Sequence, residues 1–498
     1  MRECLKRLWS LISSHPWMTW GGILLATAVG FLPSVGSSPP LWQDEVQIVD
    51  YGRVLLEPDP KWAMTWMTHG NRPITASSYL GCGGAELAYR ATGSALGTRW
   101  FCILGGFGLA TILLALLLDW SGNDYTMRLY AVLLSGIVLV LPVLVNNYRC
   151  GRVDAWAMTF VLGGAWALHR YLVTERHRWL ALCIVLLALA PCVWIRALTA
   201  IPAALLPLLF HRMGTTRRVW PLAFGIGLGV TLLVVILQLP ALAAWQDLQA
   251  LKQSPVKEFS VLNTGAAGGS GGLLLSWLRE FVAVYQLSMP FVLIACWGGW
   301  VVLRQLASRT HCALFIAIVL ATGVAQLRSH TGQSAPGAAY WMPLFALLAW
   351  QGLVNLGRNE SGRRLVMASL VVLLAGYWAL NVVGRSYRGW IHREARGHRA
   401  LMATVDAVPP HPRRLIVEDF RLYFLLRERG FEPFYLFADV DVAKRELPLK
   451  DMAKVGVIVG GNSPRWSEYA TQFIPHAQMK ELPGGYRWHG PNAEQARE

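Results

Sequence analysis

Two adjacent carboxylates, Asp44 and Glu45, stand in the stretch "LWQDEVQIVDYGR" just after the first long apolar run. A carboxylate at a water–lipid boundary can take a proton from a hydroxyl as that oxygen attacks an electrophilic carbon. If the leaving group is a phosphate, little protonation is needed and one carboxylate suffices, whereas expelling an alkoxide normally takes two. Neighbouring residues point in different directions, so Asp44 and Glu45 need not share a task. The plain alternative is a pair of solvated loop charges, and Asp50 is a reserve candidate.

Four further clusters could serve such a reaction. "THGNRPITASSYL" carries His69, Asn71 and Arg72, with Pro73 forcing the residue before it out of the helical region. It suits a sugar or phosphate, or is an ordinary polar turn. "NNYRCGRVDAW" carries Arg149, Arg152 and Asp154 where an apolar run begins. Asp154 there could equally serve the helix dipole alone. Arg196 splits an apolar stretch that also holds Pro191, Pro202 and Pro207. A guanidinium near hydrocarbon costs about 2.5–3.5 kcal/mol even on lenient scales, so it calls for an anion or a wet cavity. A lipid phosphate would fit its fork of donors. "QLRSHTGQSAPGAAYWMP" carries Arg328, His330 and Tyr340, against the plain alternative of a polar loop with a residue of the interfacial aromatic belt.

The elements that must hold these groups are transmembrane helices. Of 498 residues, 54% are hydrophobic and 15% charged, and mean hydropathy is +0.39. Long windows between 18 and 384 have almost no charge, enough for about eleven spans of roughly 20 residues. These fall near 17–34, 100–118, 128–146, 154–170, 179–195, 197–211, 220–240, 286–303, 312–327, 341–356 and 365–384. The net charge of +16 lies largely in short loops, which reads as topology and excludes a nucleic-acid partner. With the N-terminus inside, Arg176, Arg178, Arg212, Arg217, Arg218, Arg304, Arg309, Arg358, Arg363 and Arg364 fall on the cytoplasmic side. All five chemical clusters then fall on the outer face. Cys82 and Cys150 are the pair that could meet there as a disulfide, and the lack of a CxxC pair leaves zinc and redox chemistry without support.

The expected fold is therefore a polytopic α-helical membrane protein with a small extracytoplasmic α/β domain at its C-terminus. Residues 1–384 form the membrane domain, with outer loops at 34–99 and 240–285, and 385–498 form the tail domain. In the tail, "RRLIVEDF", "FEPFYLF" and "KVGVIVGG" read as strands, and "RLYFLLRERG" as a helix ending at Gly430.

This arrangement resembles the GT-C glycosyltransferases, most closely the branch of protein O-mannosyltransferases and lipid A aminoarabinose transferases. "QDEVQIVDYGR" is similar to that branch's acidic first-loop motif. "HGNRPITASSYLG" with "ATGSALGTRWFCILGG" resembles its next segment, and "GRVDAWAMTFVLGGAWAL" its Arg-x-Asp start of the fourth span. The likeness covers about residues 15–210 and is topological from 211 to 384. Asn71-Arg72 before a single Pro73 departs from the pattern, as does the tail. The resemblance implies a polyprenyl-phosphate-linked sugar as donor and inversion at the anomeric carbon. It makes Asp44 the base and sets Arg152, Asp154 and Arg196 near the donor. It also implies a glycan, lipid or protein acceptor and a bacterial inner-membrane location, with the catalytic face extracytoplasmic. Arginines can neutralise one phosphate, so no obligatory metal is expected. The rival reading is a transporter or flippase of lipid-linked sugars. The charges gather on one side and the halves show no repeat, which favours the enzyme.

Overall fold

The computed structural model describes residues 14–56, 78–210, 219–243, 282, 285–306, 309–329, 339–392, 398–435, 455–460 and 478–491. In chain order its helices are α1 (Pro16–Phe31), α2 (Gln43–Leu56), α3 (Tyr79–Thr92), α4 (Ala95–Ser121), α5 (Tyr125–Leu139), α6 (Pro142–Arg149), α7 (Asp154–Thr174) and α8 (His177–Val193). They continue as α9 (Pro207–Phe210), α10 (Val219–Ala243), α11 (Met289–Gln305), α12 (Arg309–Ser329), α13 (Met342–Leu356), α14 (Glu360–Trp378), α15 (Arg385–Ile391), α16 (His398–Asp406) and α17 (Phe420–Glu428).

The chain is a multi-pass membrane protein. Among the described residues, five helices are long and apolar enough to cross a membrane, or six if α5 and α6 count as one span bent by 52°. About eleven spans are expected from hydropathy alone; shorter apolar helices lie at His177–Val193, Ile201–Phe210 and Arg309–Gly323, and two of the expected spans are broken locally. The bend falls at Pro142, which cannot donate a helical hydrogen bond. Tyr148 Oη donates to the Leu139 carbonyl at 2.7 Å and Asn381 Nδ2 to the Val140 carbonyl at 2.9 Å, so carbonyls at the break find partners inside the protein. The expected helix at 197–211 is instead two 3-10 turns, Ile195–Thr199 and Ile201–Leu205, followed by the single turn of α9. Pro202 and Pro207 remove donors there, and short 3-10 pieces are the tighter substitute.

Side-chain caps start several helices. Ser94 accepts from the Leu96 N–H at α4, Asp124 from Thr126 and Met127 at α5, and Asn359 from Gly362 at α14. Helix α4 then lies close against α7. Added at Gly105, a Cβ would meet the Trp156 ring at 2.8 Å, so only glycine permits this approach. Trp156 Nε1 donates to the Phe101 carbonyl at 2.8 Å and Thr159 Oγ1 to the Gly105 carbonyl at 3.0 Å. These contacts fix the N-terminal turn of α7, where Asp154 sits.

Helices α2 and α3 pack on one another and share the core of the bundle. Gly52 lets them touch, since a Cβ there would stand 2.0 Å from the Cys82 carbonyl oxygen. Strands β1 (Arg414–Val417), β2 (Glu432–Tyr435), β3 (Gly456–Gly460), β4 (Gln478–Leu482) and β5 (Tyr486–Gly490) form one sheet in the order β2-β1-β3-β5-β4. The β1 pairings are parallel and the β5 pairings antiparallel. Its core gathers Leu415, Val417, Leu422, Leu426, Ile458 and Trp488. Helix α17 has two working faces. Leu422 and Leu426 fill the sheet's core, while Tyr423 and Phe424 join the core of the helical body.

Candidate active site

The site is assembled from helix ends. Asp44 and Glu45 occupy the first turn of α2, Arg152 and Asp154 the junction of α6 and α7, Arg196 the 3-10 turn after α8, and Tyr340 the turn before α13. A guanidinium sits at the middle of the group. Arg152 Nη1 donates to Asp44 Oδ2, while its Nε donates to Asp154 Oδ2 at 2.8 Å. Asp154 also accepts from Tyr340 Oη at 2.5 Å and from Asn147 Nδ2 at 3.2 Å. Arg152, Asp154 and Tyr340 are buried. The Arg152 guanidinium also lies 5.7 Å from the centre of the Trp194 ring.

Asp44 is held on one side only. Oδ2 accepts from Arg152, whereas Oδ1 makes no hydrogen bond among the described residues and is not sealed by them. One oxygen is therefore oriented and the other can accept a proton. The Arg196 guanidinium makes no hydrogen bond or ion pair among the described residues, yet its charge reaches both Asp154 and Tyr340. It is a half-buried cation with its donors uncommitted at the edge of the array.

Glu45 has a different position from its neighbour. It is wholly buried, and Arg99 grips it with Nε to Oε1 at 2.8 Å and Nη2 to Oε2 at 2.9 Å. Arg99 Nη1 also donates to the carbonyls of Val35 at 2.6 Å and Pro39 at 3.0 Å. Glu45 is thus an anchor between α2, α4 and the segment after α1. The turn carrying Arg152 closes over it. Gly151 has φ +68°, and a Cβ there would fall 2.4 Å from Glu45 Cγ.

Arg149 stands apart from the array. It is buried, donates to Ser34 Oγ at 2.7 Å and lies 4.5 Å over the Phe31 ring. Asp50 accepts from Tyr423 Oη at 2.7 Å and pairs with Arg53 at 2.9 Å. Cys82 and Cys150 are both buried free thiols, so the disulfide considered from sequence does not form. His69, Asn71, Arg72 and His330 lie outside the described residues. Arg328 lies in the last turn of α12, and its side chain is likewise outside them. Sequence reasoning missed Asn147, Trp194 and Arg99. "NNYRCGR" held a signal for Asn147, since an amide so near an apolar run needs a partner. Nothing local marked the other two.

Among solved structures, the chain superposes on ArnT from Cupriavidus metallidurans bound to undecaprenyl phosphate with a TM-score of 0.60, covering 97% of this chain and 99% of that one at 14% identity. The chain has the ArnT fold. ArnT belongs to the aminoarabinose transferase branch of GT-C enzymes, the branch that the first-loop motif resembles. ArnT in the apo state superposes with a TM-score of 0.48 over 96% of this chain and 99% of that one, again at 14% identity. No family model and no curated protein matches the sequence.

Proposed function

We propose that this chain is a membrane glycosyltransferase that moves a sugar from a polyprenyl-phosphate donor to an acceptor outside the cytoplasm, with inversion and with Asp44 as the base. The observation that carries the reading is the arrangement around Arg152. It orients Asp44 through one oxygen and leaves the other without a partner among the described residues, while the uncommitted guanidinium of Arg196 acts on Asp154 and Tyr340 in the same array. The ArnT fold supports it, because the ArnT neighbour binds undecaprenyl phosphate.

In this mechanism Asp44 Oδ1 accepts the proton of an acceptor hydroxyl. The acceptor oxygen forms a bond to the anomeric carbon from the face opposite the phosphate. The bond from that carbon to the phosphate oxygen breaks, and the lipid phosphate leaves with the electron pair. Arg196 meets the charge that grows on the leaving phosphate, which is the point where preorganised donors contribute most. Arg152 keeps Asp44 aimed and, through Asp154 and Tyr340, holds the opposite wall in place. Glu45 takes no part in the chemistry and anchors the base's helix.

The deciding experiment is turnover of polyprenyl-phosphate sugars with envelope acceptors, comparing wild type with Asp44→Asn. Transfer by wild type, with lipid binding but no transfer by the variant, supports the assignment. If neither protein transfers sugar while vesicles containing wild type move the lipid-linked sugar across the bilayer, the reading fails and a transporter replaces it.

A further inference from the structure

Two carboxylates on the first-loop helices are wholly buried, and each is held both by an arginine of its own helix, Arg53 for Asp50 and Arg90 for Glu86, and by the tail. Asp50 on α2 and Glu86 on α3 are both 0% exposed. Arg427 on α17 grips Glu86 with Nη1 to Oε2 and Nη2 to Oε1, both at 2.8 Å. One helical turn earlier on the same face, Tyr423 Oη donates to Asp50 Oδ1 at 2.7 Å. The Arg427 guanidinium also lies 3.9 Å from the centre of the Tyr89 ring, and Phe424 packs on that ring at 5.6 Å. Burial pushes the Tyr423 phenol well above its ordinary value, so it remains a donor across the working pH range.

A cavity of about 470 Å³ separates α16 and α17 from the segment after α1 and the start of α4, lined by Pro33, Leu41, Leu96, Leu401, Phe424 and Leu425. Apolar packing at the seam comes from Tyr423 and Phe424, which join the core of the helical body, and domains in one chain joined by a limited contact ordinarily move relative to one another. Here a planar two-armed ion pair and a second hydrogen bond resist that motion at one spot. That spot lies on α2 and α3, and the first turn of α2 carries Asp44.

We infer that Arg427 and Tyr423 are positioning residues: by holding Glu86 and Asp50 they fix the orientation of α2, and with it the aim of Asp44. The inference rests on the transfer reaction proposed above. The tail domain is then part of the catalytic apparatus although it supplies no reacting group. A rigid helix turned slightly at one end displaces its first residue, and a displacement of about 1 Å can cost on the order of 100-fold in rate.

The test uses the full-length protein in lipid nanodiscs with Arg427→Met, Arg427→Lys and Tyr423→Phe. Hydrogen exchange of residues 43–56 and of strands β1 and β5, the affinity for undecaprenyl phosphate, and kcat are measured for each. Arg427→Met is expected to speed exchange at 43–56 with the strands still protected. Lipid affinity should stay within about threefold, and kcat should fall on the order of 100-fold. Arg427→Lys keeps the charge but loses the fork, so its kcat should lie between the two. Unchanged exchange at 43–56 overturns the latch whatever the enzyme does. Faster exchange with wild-type kcat overturns the positioning role. If Arg427→Met also unprotects the strands, Tyr423→Phe decides, because it removes one hydroxyl and keeps the ring packing. A wild type that transfers no sugar sinks the proposed function, and the exchange result still reports separately on the latch.

Discussion

Arg99 and Glu45 meet through two parallel hydrogen bonds, 2.8 and 2.9 Å long, inside a region closed to water. Arg99 also holds two backbone carbonyls of the segment after α1, so it fastens three pieces of chain to one point. Removing one member leaves the other buried and charged, at a cost of about 3–5 kcal/mol. Glu45→Gln and Arg99→Leu should therefore both lower thermal stability sharply. Asp44→Asn should abolish transfer and lower the melting temperature less, because Arg152 keeps Asp154 as a partner. Equal melting losses for Asp44→Asn and Glu45→Gln would contradict this division of roles.

Arg152 serves two carboxylates at once, and its planar fork is what allows it. Lysine supplies a point charge without that geometry. Arg152→Lys should fold and still bind undecaprenyl phosphate, while kcat falls on the order of 100-fold as Asp44 loses its orientation. Steady-state kinetics with a parallel lipid-binding measurement would check this.

Gly151 combines a left-handed φ of +68° with direct contact on the Glu45 side chain. Gly151→Ala is strained by its backbone and obstructed by its neighbour. A loss of more than about 1 kcal/mol is expected, with the Arg152 turn displaced and transfer reduced. A variant as stable and active as wild type would show that the turn can move at little cost.

Asp419 sets an acid limit on the tail domain. Burial pushes its carboxyl up, but hydrogen bonds from Arg421 and Tyr486, with the Arg421 backbone N–H, outweigh burial and hold it below the ordinary carboxylate value. The contribution to stability is thus fully present above the unfolded value of about 4 and is lost as pH falls through the lower folded value. Exchange protection of β1 and β5 should fall along that acid limb in wild type. In Asp419→Asn it should be weaker throughout and lose this acid dependence.

How much of this was legible depends on the distance between partners. The helical body and the small sheet follow from apolar runs and short β-branched stretches, which are local signals. The separate duties of Asp44 and Glu45 follow in outline from their adjacency, since one helical turn sends neighbours in different directions. Their partners do not: Arg99 is 54 residues from Glu45 and Arg152 is 108 from Asp44. No periodicity encodes such pairings. Tyr340 read equally as an interfacial aromatic, and only the packed fold brings its hydroxyl to Asp154. The stretch 197–211 departs from the single helix expected of it because hydropathy does not register the donors that prolines remove.

The bond between Arg427 and Glu86 joins residues 341 positions apart. At about 5–20 residues per second, a ribosome needs roughly 17–70 s to travel from one to the other. Through that interval the first loop has been made while its carboxylates still lack the tail arginine and tyrosine that will hold them. Helix α2, which carries Asp44, therefore waits for α17 before it can be locked. A nascent chain stalled short of α17 would carry α2 and α3 without these partners, so completion of the site is timed by the synthesis of α17.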